Sequence, residues 1–154
     1  MAVKGARHRA RILALQSLYE SDLTGHPAAE VVERHLAEAS LSEDIAEFTR
    51  ELVAGVLANL ERIDETISEA APNWPLSQMS RVDKNILRLA IYEVLFNNTK
   101  VPPKAAINEA VELAKSFGSD SSSRFVNGVL GTIVGRVTPE RSGPQELDER
   151  RPRD

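Results

Sequence analysis

The sequence contains no cysteine, which excludes disulfide bonds and thiolate chemistry and fits a reducing compartment. Aromatic residues make up only 5% of the chain while hydrophobic residues make up 42%, so the core must be mainly aliphatic. No apolar run approaches the ~20 residues that a membrane-spanning helix needs. The N-terminus also lacks the apolar segment of a secretory signal. We therefore expect a cytoplasmic protein with no membrane partner.

The sequence also lacks the residue patterns of common catalytic and cofactor sites. Its histidines, His8, His26 and His35, do not have metal-ligand spacing. Neither the GxxxxGK[ST] phosphate loop nor the GxGxxG dinucleotide motif occurs. The serines at 121–123 are not framed by the glycines of a nucleophile elbow. We predict that the protein is not an enzyme and needs no metal or cofactor.

Positive charge is concentrated at the N-terminus of a chain whose formal net charge is −4. The residues up to Tyr19 include four basic side chains and no acidic one. From Glu20 to Thr138 there are 18 acids and 11 bases. A basic tip on an acidic body is a feature of proteins that bind a polyanion at one place, so the distribution matters more than the sum.

Apolar residues recur at helical spacing along most of the chain, and no segment shows the alternation of a strand. Gly25 is expected to end the first helix in a left-handed conformation, and Ser42 and Ser80 are expected N-caps. A break is expected near 57–59, and the prolines of APNWPLSQMS must interrupt the chain's helices. The prediction is an all-α fold of about six or seven helices in two packed subdomains. Their expected extents are 1–75 and 76–138, followed by a disordered tail over 139–154.

Two later segments have unusual helix patterns. The run VDKNILRLAIYEVLF is apolar on nearly all sides, which predicts a central helix surrounded by others. Arg88 and Glu93 interrupt it and are expected to pair with each other, or else to reach a shared binding surface. The last segment, RFVNGVLGTIVGRV, contains three glycines. Each weakens a helix by up to ~1 kcal/mol unless another helix packs closely against it.

The opening stretch GARHRARILALQSLYES places Arg7, Arg9 and Arg11 at a helix end that is already positive. Each charge there costs ~0.3–1 kcal/mol, and such an uncompensated cost points to function. The arginine fork donates two hydrogen bonds to a phosphate at once. A solubilising, frayed terminus is the alternative. Similarly, Arg124 beside Phe125 offers a charge for phosphate and a ring for base stacking, as single-stranded RNA requires.

Four segments together carry a family resemblance: R-x-R-x-R-x-x-x-L-Q-x-L-Y-E, VDKNILRLAIYE, V-P-x-K-x-A-I-N-E-A-V-E-L-A-K-S-F-G and RFVNGVLG. Over about residues 5–137 the chain resembles the NusB family of bacterial transcription antitermination factors. The resemblance implies a non-enzymatic, all-helical protein of two subdomains. It further implies binding of boxA leader RNA together with NusE, a small-subunit ribosomal protein. The pair would support RNA polymerase on ribosomal RNA operons.

The resemblance also implies the residues of both contact surfaces. The implied RNA contacts are Arg7, Arg9, Arg11, Gln16, Tyr19, Arg88, Arg124 and Phe125. The implied NusE contacts are Tyr19, Asp83 and Lys84. The loop SDSSS departs from the family pattern, because Ser121 stands where an acid is expected. Two alternatives remain: a protein-only helical adaptor or homodimer whose arginines meet an acidic partner, and a relative of the NusB-like domain that precedes RNA methyltransferases.

Overall fold

The computed structural model describes residues 2–97 and 101–137, with the side chains of residues 2–4 and 137 left out. This part of the chain contains helices and no strand, which confirms the all-α prediction. No helix in these ranges combines the length and the hydropathy of a membrane span. The helices are α1 (Ala2–Thr24), α2 (Ala28–Glu38), α3 (Glu43–Ala58), α4 (Leu60–Ala70), α5 (Arg81–Ile91), α6 (Pro103–Phe117) and α7 (Ser122–Val137). The predicted tail over 139–154 lies outside the described residues.

Local signals fix the helix ends as the sequence predicts. Gly25 has φ 83° after α1, in the left-handed region where a side chain would be strained. Ser42 Oγ accepts a hydrogen bond from the Ile45 amide at 3.4 Å, and Ser80 Oγ accepts one from the Asp83 amide at 3.0 Å. The predicted break near 57–59 is confirmed, because α3 ends before Asn59 and α4 begins after it.

Helix α5 lies at the centre of the fold, which confirms its predicted position. It packs against α1, α3, α4, α6 and α7. Ile86, Leu87 and Ile91 are fully buried, and each such side chain contributes ~1.5–3 kcal/mol when it leaves water. The buried aliphatic cluster around them draws on every helix from α1 to α7. The division into two subdomains stays a prediction.

The central segment does not remain an α-helix to its end. At Tyr92 the backbone widens into a π-helical turn that runs from Tyr92 to Phe96. The Tyr92 ring lies directly against Gly55 of α3, in the space that a Cβ at this position would fill. Burial raises the pKa of the Tyr92 phenol, and the nearby Glu51 and Glu93 charges add to the effect. Gly55 therefore permits the close approach of α3 to the π-helical turn.

The glycines of α7 lie at exposed positions of the helix. A Cβ built at Gly128, Gly131 or Gly135 would meet nothing within 4 Å, and all three positions are exposed. In the part of the chain that the structure describes, no helix packs on them. The helix penalty of these glycines is therefore not offset by close packing within the fold.

We predict that Gly55→Ala lowers the free energy of unfolding by about 1–3 kcal/mol, because the added methyl group displaces the Tyr92 ring. The matched change Gly131→Ala should raise it by ~0.5–1 kcal/mol, since helix propensity improves and nothing is displaced. Urea unfolding of the two variants measures both effects. Equal stabilisation by the two changes would contradict the packing of Tyr92 on Gly55.

Candidate functional site

The N-terminal end of α1 presents two exposed arginines. The Arg7 guanidinium lies 4.7 Å from the ring centroid of Phe48 on α3, in cation–π contact. Arg9 is exposed and has no ion pair or hydrogen bond through its side chain to any described residue. Between them, His8 Nδ1 lies 3.1 Å from Glu109 Oε1 of α6. The charges of Arg7 and Arg9 thus face solvent without an acidic partner in the described chain.

Arg11 is buried, so its expected place on an exposed rim is wrong. Its side chain donates from Nε and Nη2 to the two carboxylate oxygens of Glu93, each at 2.9 Å. Burial alone lowers the pKa of Arg11, but the hydrogen bonds and charge of Glu93 outweigh it, so the pKa is raised. The guanidinium is therefore charged and already bound to a carboxylate. The exposed basic tip consists of Arg7 and Arg9, and Arg11 anchors it.

Arg88 and Lys84 also bind carboxylates within the fold. Arg88 donates from Nε and Nη2 to both oxygens of Asp64 at 2.9 Å, and Lys84 Nζ lies 3.1 Å from Asp22 Oδ2. The expected pair of Arg88 with Glu93 is therefore wrong. Burial raises the pKa of Asp22, but hydrogen bonds from Asn85 and Lys84 outweigh it and lower the pKa. This network ties α5 to α1 and α4.

Gln16 and Tyr19 line an open, mainly apolar cleft of about 440 Å³ between α1, α2, α6 and the start of α5. Leu23 on one wall is 51% exposed and Phe117 on another is 38% exposed, although both are large hydrophobic residues. Val82 closes the cleft at α5. A cleft with exposed apolar walls and a few polar groups suits side chains of a protein partner.

Arg124 and Phe125 lie beside an exposed tryptophan that sequence reasoning missed. The Trp74 and Phe125 ring centroids are 6.1 Å apart at 74°, an edge-to-face contact. Trp74 is 53% exposed, and Arg124 is exposed with no ion pair to any described residue. From the sequence, APNWPLSQMS is expected to be a helix break and the boundary between two subdomains, with no contact assigned to Trp74. The signal was the chain's single tryptophan, placed between Asn73 and Pro75 in a polar loop.

The same residues border a cleft of about 450 Å³ that reaches Asp83 at the start of α5. Asp83 Oδ1 is buried and has no hydrogen-bond donor within the described residues. Ser80 and Asp83 form only half of a capping box, because the Ser80 side chain accepts from the Asp83 amide and Asp83 does not reciprocate. A buried acceptor without a donor costs ~1–3 kcal/mol. Asp83 is thus suited to accept a hydrogen bond from a bound partner.

The structure brings five of the predicted residues together at two clefts. Asp83, Arg124 and Phe125 line one cleft, and Gln16 and Tyr19 line the other; the clefts meet α5 at neighbouring positions. The tip of α1 lies instead beside α3 and α6. In the described ranges, no three histidine, aspartate or glutamate side chains are grouped so as to hold a metal ion.

Comparison with known proteins agrees with this architecture. The model of the NusB family matches residues 8–134. The chain is 55% identical to the transcription antitermination protein NusB of Chloroflexus aggregans, across 91% of this chain and 94% of that protein. It superposes on T. maritima NusB with a TM-score of 0.78 and 35% identity, covering 82% of this chain and 89% of that one.

A further structural match comes from a crystal structure of the antitermination factors NusB and NusE in complex with dsRNA. The matching chain has a TM-score of 0.78 and 29% identity, and the match covers 85% of this chain and 97% of that chain. The likeness therefore extends over nearly the whole helical body in both sequence and structure.

We predict that Glu93→Gln lowers the free energy of unfolding by about 3–5 kcal/mol, because it removes the carboxylate that binds the buried Arg11 charge. The remaining acid, Glu109, lies 3.8 Å from Arg11 Nη1. Replacing both partners, in Arg11→Met with Glu93→Met, should recover most of the loss. Urea unfolding gives the comparison, with the exposed Glu112→Gln as a control that stays within ~0.5 kcal/mol of the wild type. A Glu93→Gln variant as stable as the control would show that this pair does not hold α1.

Proposed function

Because the chain belongs to the NusB family, we propose that it binds boxA leader RNA together with NusE and supports RNA polymerase on ribosomal RNA operons. The family is one of transcription antitermination factors rather than enzymes. A structural relative occurs in a complex with NusE and dsRNA, which supports both kinds of partner. The proposed RNA surface consists of arginines and aromatic rings, whereas the proposed NusE surface consists of an acidic acceptor and an apolar cleft.

One observation carries the RNA proposal: Arg124 and Phe125 lie together beside the exposed Trp74, and all three side chains border open clefts. Arg124 supplies a charge that no described acid neutralises, and the two rings supply surfaces on which unstacked bases can lie. Proteins that bind single-stranded RNA combine these two features. At the tip of α1, Arg7 and Arg9 add two more cations for phosphates. Arg11 acts there by positioning α1.

The NusE surface is proposed along the start of α5 and the facing side of α1. Asp83 offers an acceptor without an internal donor, and Tyr19 borders the neighbouring apolar cleft with Gln16. Lys84 follows Asp83 in the chain, but its side chain forms an ion pair with Asp22. We propose that Lys84 stabilises this surface by holding α5 against α1. Arg88 is engaged with Asp64 and stiffens the same region rather than extending toward a ligand.

A second candidate is a homodimer, favoured by the exposed side chains of Leu23 and Phe117 at the same apolar cleft. In that case a second copy of the chain would cover the cleft in place of NusE. Analytical ultracentrifugation of the free protein and of its mixture with NusE distinguishes the homodimer from the NusE complex. A dimer formed through this cleft must dissociate when NusE binds.

We predict that Arg7→Ala with Arg9→Ala weakens binding of a boxA RNA oligonucleotide and flattens its salt dependence. Each phosphate contact on a single strand contributes ~0.7 to the slope of log K against log salt, so the slope should fall by about 1.4. Arg34→Ala with Arg50→Ala removes the same charge from α2 and α3 and is the matched control. Equal effects of the two double variants would contradict a local RNA contact at the tip of α1.

We predict that Asp83→Asn weakens NusE binding about 10- to 100-fold, because a charged acceptor is lost at the interface. The free energy of unfolding should change by less than ~1 kcal/mol, since Asp83 Oδ1 has no internal partner. Calorimetric titration with NusE measures the first effect and urea unfolding the second. Glu61→Gln on α4 is the control, and NusE affinity unchanged by Asp83→Asn would remove Asp83 from the interface.

A further inference from the structure

A second cleft, of about 340 Å³, lies on the other side of the Trp74–Phe125 pair from Asp83. The end of α4 and the loop after it form one wall, and α7 forms the other. Trp74, Arg124 and Phe125 border both clefts, so the aromatic pair is the ridge between them. Its lining residues include Asn73, Trp74, Arg124, Phe125, Gly128 and Thr132.

The α7 wall leaves room for a flat group. Arg124, Gly128 and Thr132 are spaced four residues apart and share one face of the helix. Gly128 has no side chain, and a Cβ there would meet nothing within 4 Å. A glycine in the middle of an exposed helix is unfavourable for the helix itself. At this position the glycine leaves the cleft open opposite Trp74, because no side chain extends into it.

We propose that this cleft binds one unstacked nucleobase of the RNA, between the Trp74 ring and the α7 backbone at Gly128. The inference rests on the proposed RNA-binding function and adds a subsite to it. Trp74 provides a stacking surface, and Arg124 at the mouth provides a cation for the adjoining phosphate. Asn73 and Thr132 supply polar groups for the edge of the base.

The charge of the cleft favours a nucleotide over other occupants. Among its lining residues Arg124 is the one charged side chain, and none is acidic. A polyanion therefore meets a cation and no repelling carboxylate. The Asp83 side of the ridge, in contrast, carries a carboxylate suited to a protein donor. Successive nucleotides that cross the ridge would place one base at Phe125 and the next at Trp74.

Trp74 is the chain's single tryptophan, so its fluorescence reports on the aromatic ridge and the two clefts beside it. A single-stranded boxA RNA oligonucleotide should quench it, because a stacked base contacts the indole. Affinity is measured independently from the anisotropy of the same RNA carrying a fluorescein label. Gly128→Leu fills the cleft, whereas Gly131→Leu adds the same side chain to an exposed position of α7 that does not line it.

We expect Gly128→Leu to abolish the quenching and to weaken RNA binding about 5- to 100-fold, the range for loss of one base–aromatic stack. Gly131→Leu should behave as the wild type, and Trp74→Phe should bind more tightly than Trp74→Ala. Circular dichroism and urea unfolding confirm that the variants are folded.

Each contrary result has a separate meaning. If labelled RNA binds the wild type without quenching Trp74, or if Gly128→Leu binds as tightly as Gly131→Leu, the base subsite is wrong while RNA binding stands. If the wild type does not bind the RNA at all, the proposed function fails and the subsite with it. If NusE alone quenches Trp74 and Gly128→Leu blocks NusE but not RNA, the cleft belongs to a protein partner and the inference is overturned.

Discussion

The buried ion pair between Arg11 and Glu93 fixes the N-terminal half of α1 on the rest of the fold. Two charges removed from water cost several kcal/mol unless they satisfy each other, and here both hydrogen bonds are 2.9 Å long. Glu93 lies on the π-helical turn after α5, and the Arg11 guanidinium lies 5.6 Å from the Phe48 ring. The Arg7 guanidinium is also in cation–π contact with the Phe48 ring. A buried contact thereby determines where the exposed cations point.

The arginines of this chain therefore divide by their partners rather than by their position in a motif. Arg11 and Arg88 each bind a carboxylate with two hydrogen bonds inside the fold. Arg7, Arg9 and Arg124 have no acidic partner among the described residues. In a protein with net charge −4, such local cations are what a polyanion can recognise. Of the acids discussed above, Glu93 is bound to Arg11, and Asp83 lines the cleft on one side of the Trp74–Phe125 ridge.

Local signals explain how much of the fold could be predicted from the sequence. The helix end at Gly25, the N-cap at Ser42 and the break before Leu60 are each set by a few neighbouring residues. The pattern of α5, apolar on nearly all sides, directly indicates a central helix. Glu93, in contrast, pairs with Arg11, which lies 82 positions earlier in the chain, so no local pattern indicates this partner. Helical geometry alone argues against a pair between Arg88 and Glu93, because side chains five residues apart on a helix point about 140° away from each other. Trp74 was missed because a loop has no periodicity from which to infer what it contacts.

We propose that RNA binds both the tip of α1 and the cleft at Trp74. Amide and indole NMR shifts of ¹⁵N-labelled protein, recorded while a boxA RNA oligonucleotide is added, report on both places in one titration. Shift changes are expected around Arg7 and Arg9, at the Trp74 indole and from Arg124 to Thr132, while the ion pairs of Arg50 with Glu33 and Glu43 on α2 and α3 stay unchanged. Changes confined to α2 and α3, or absent from both proposed surfaces at saturating RNA, would contradict it.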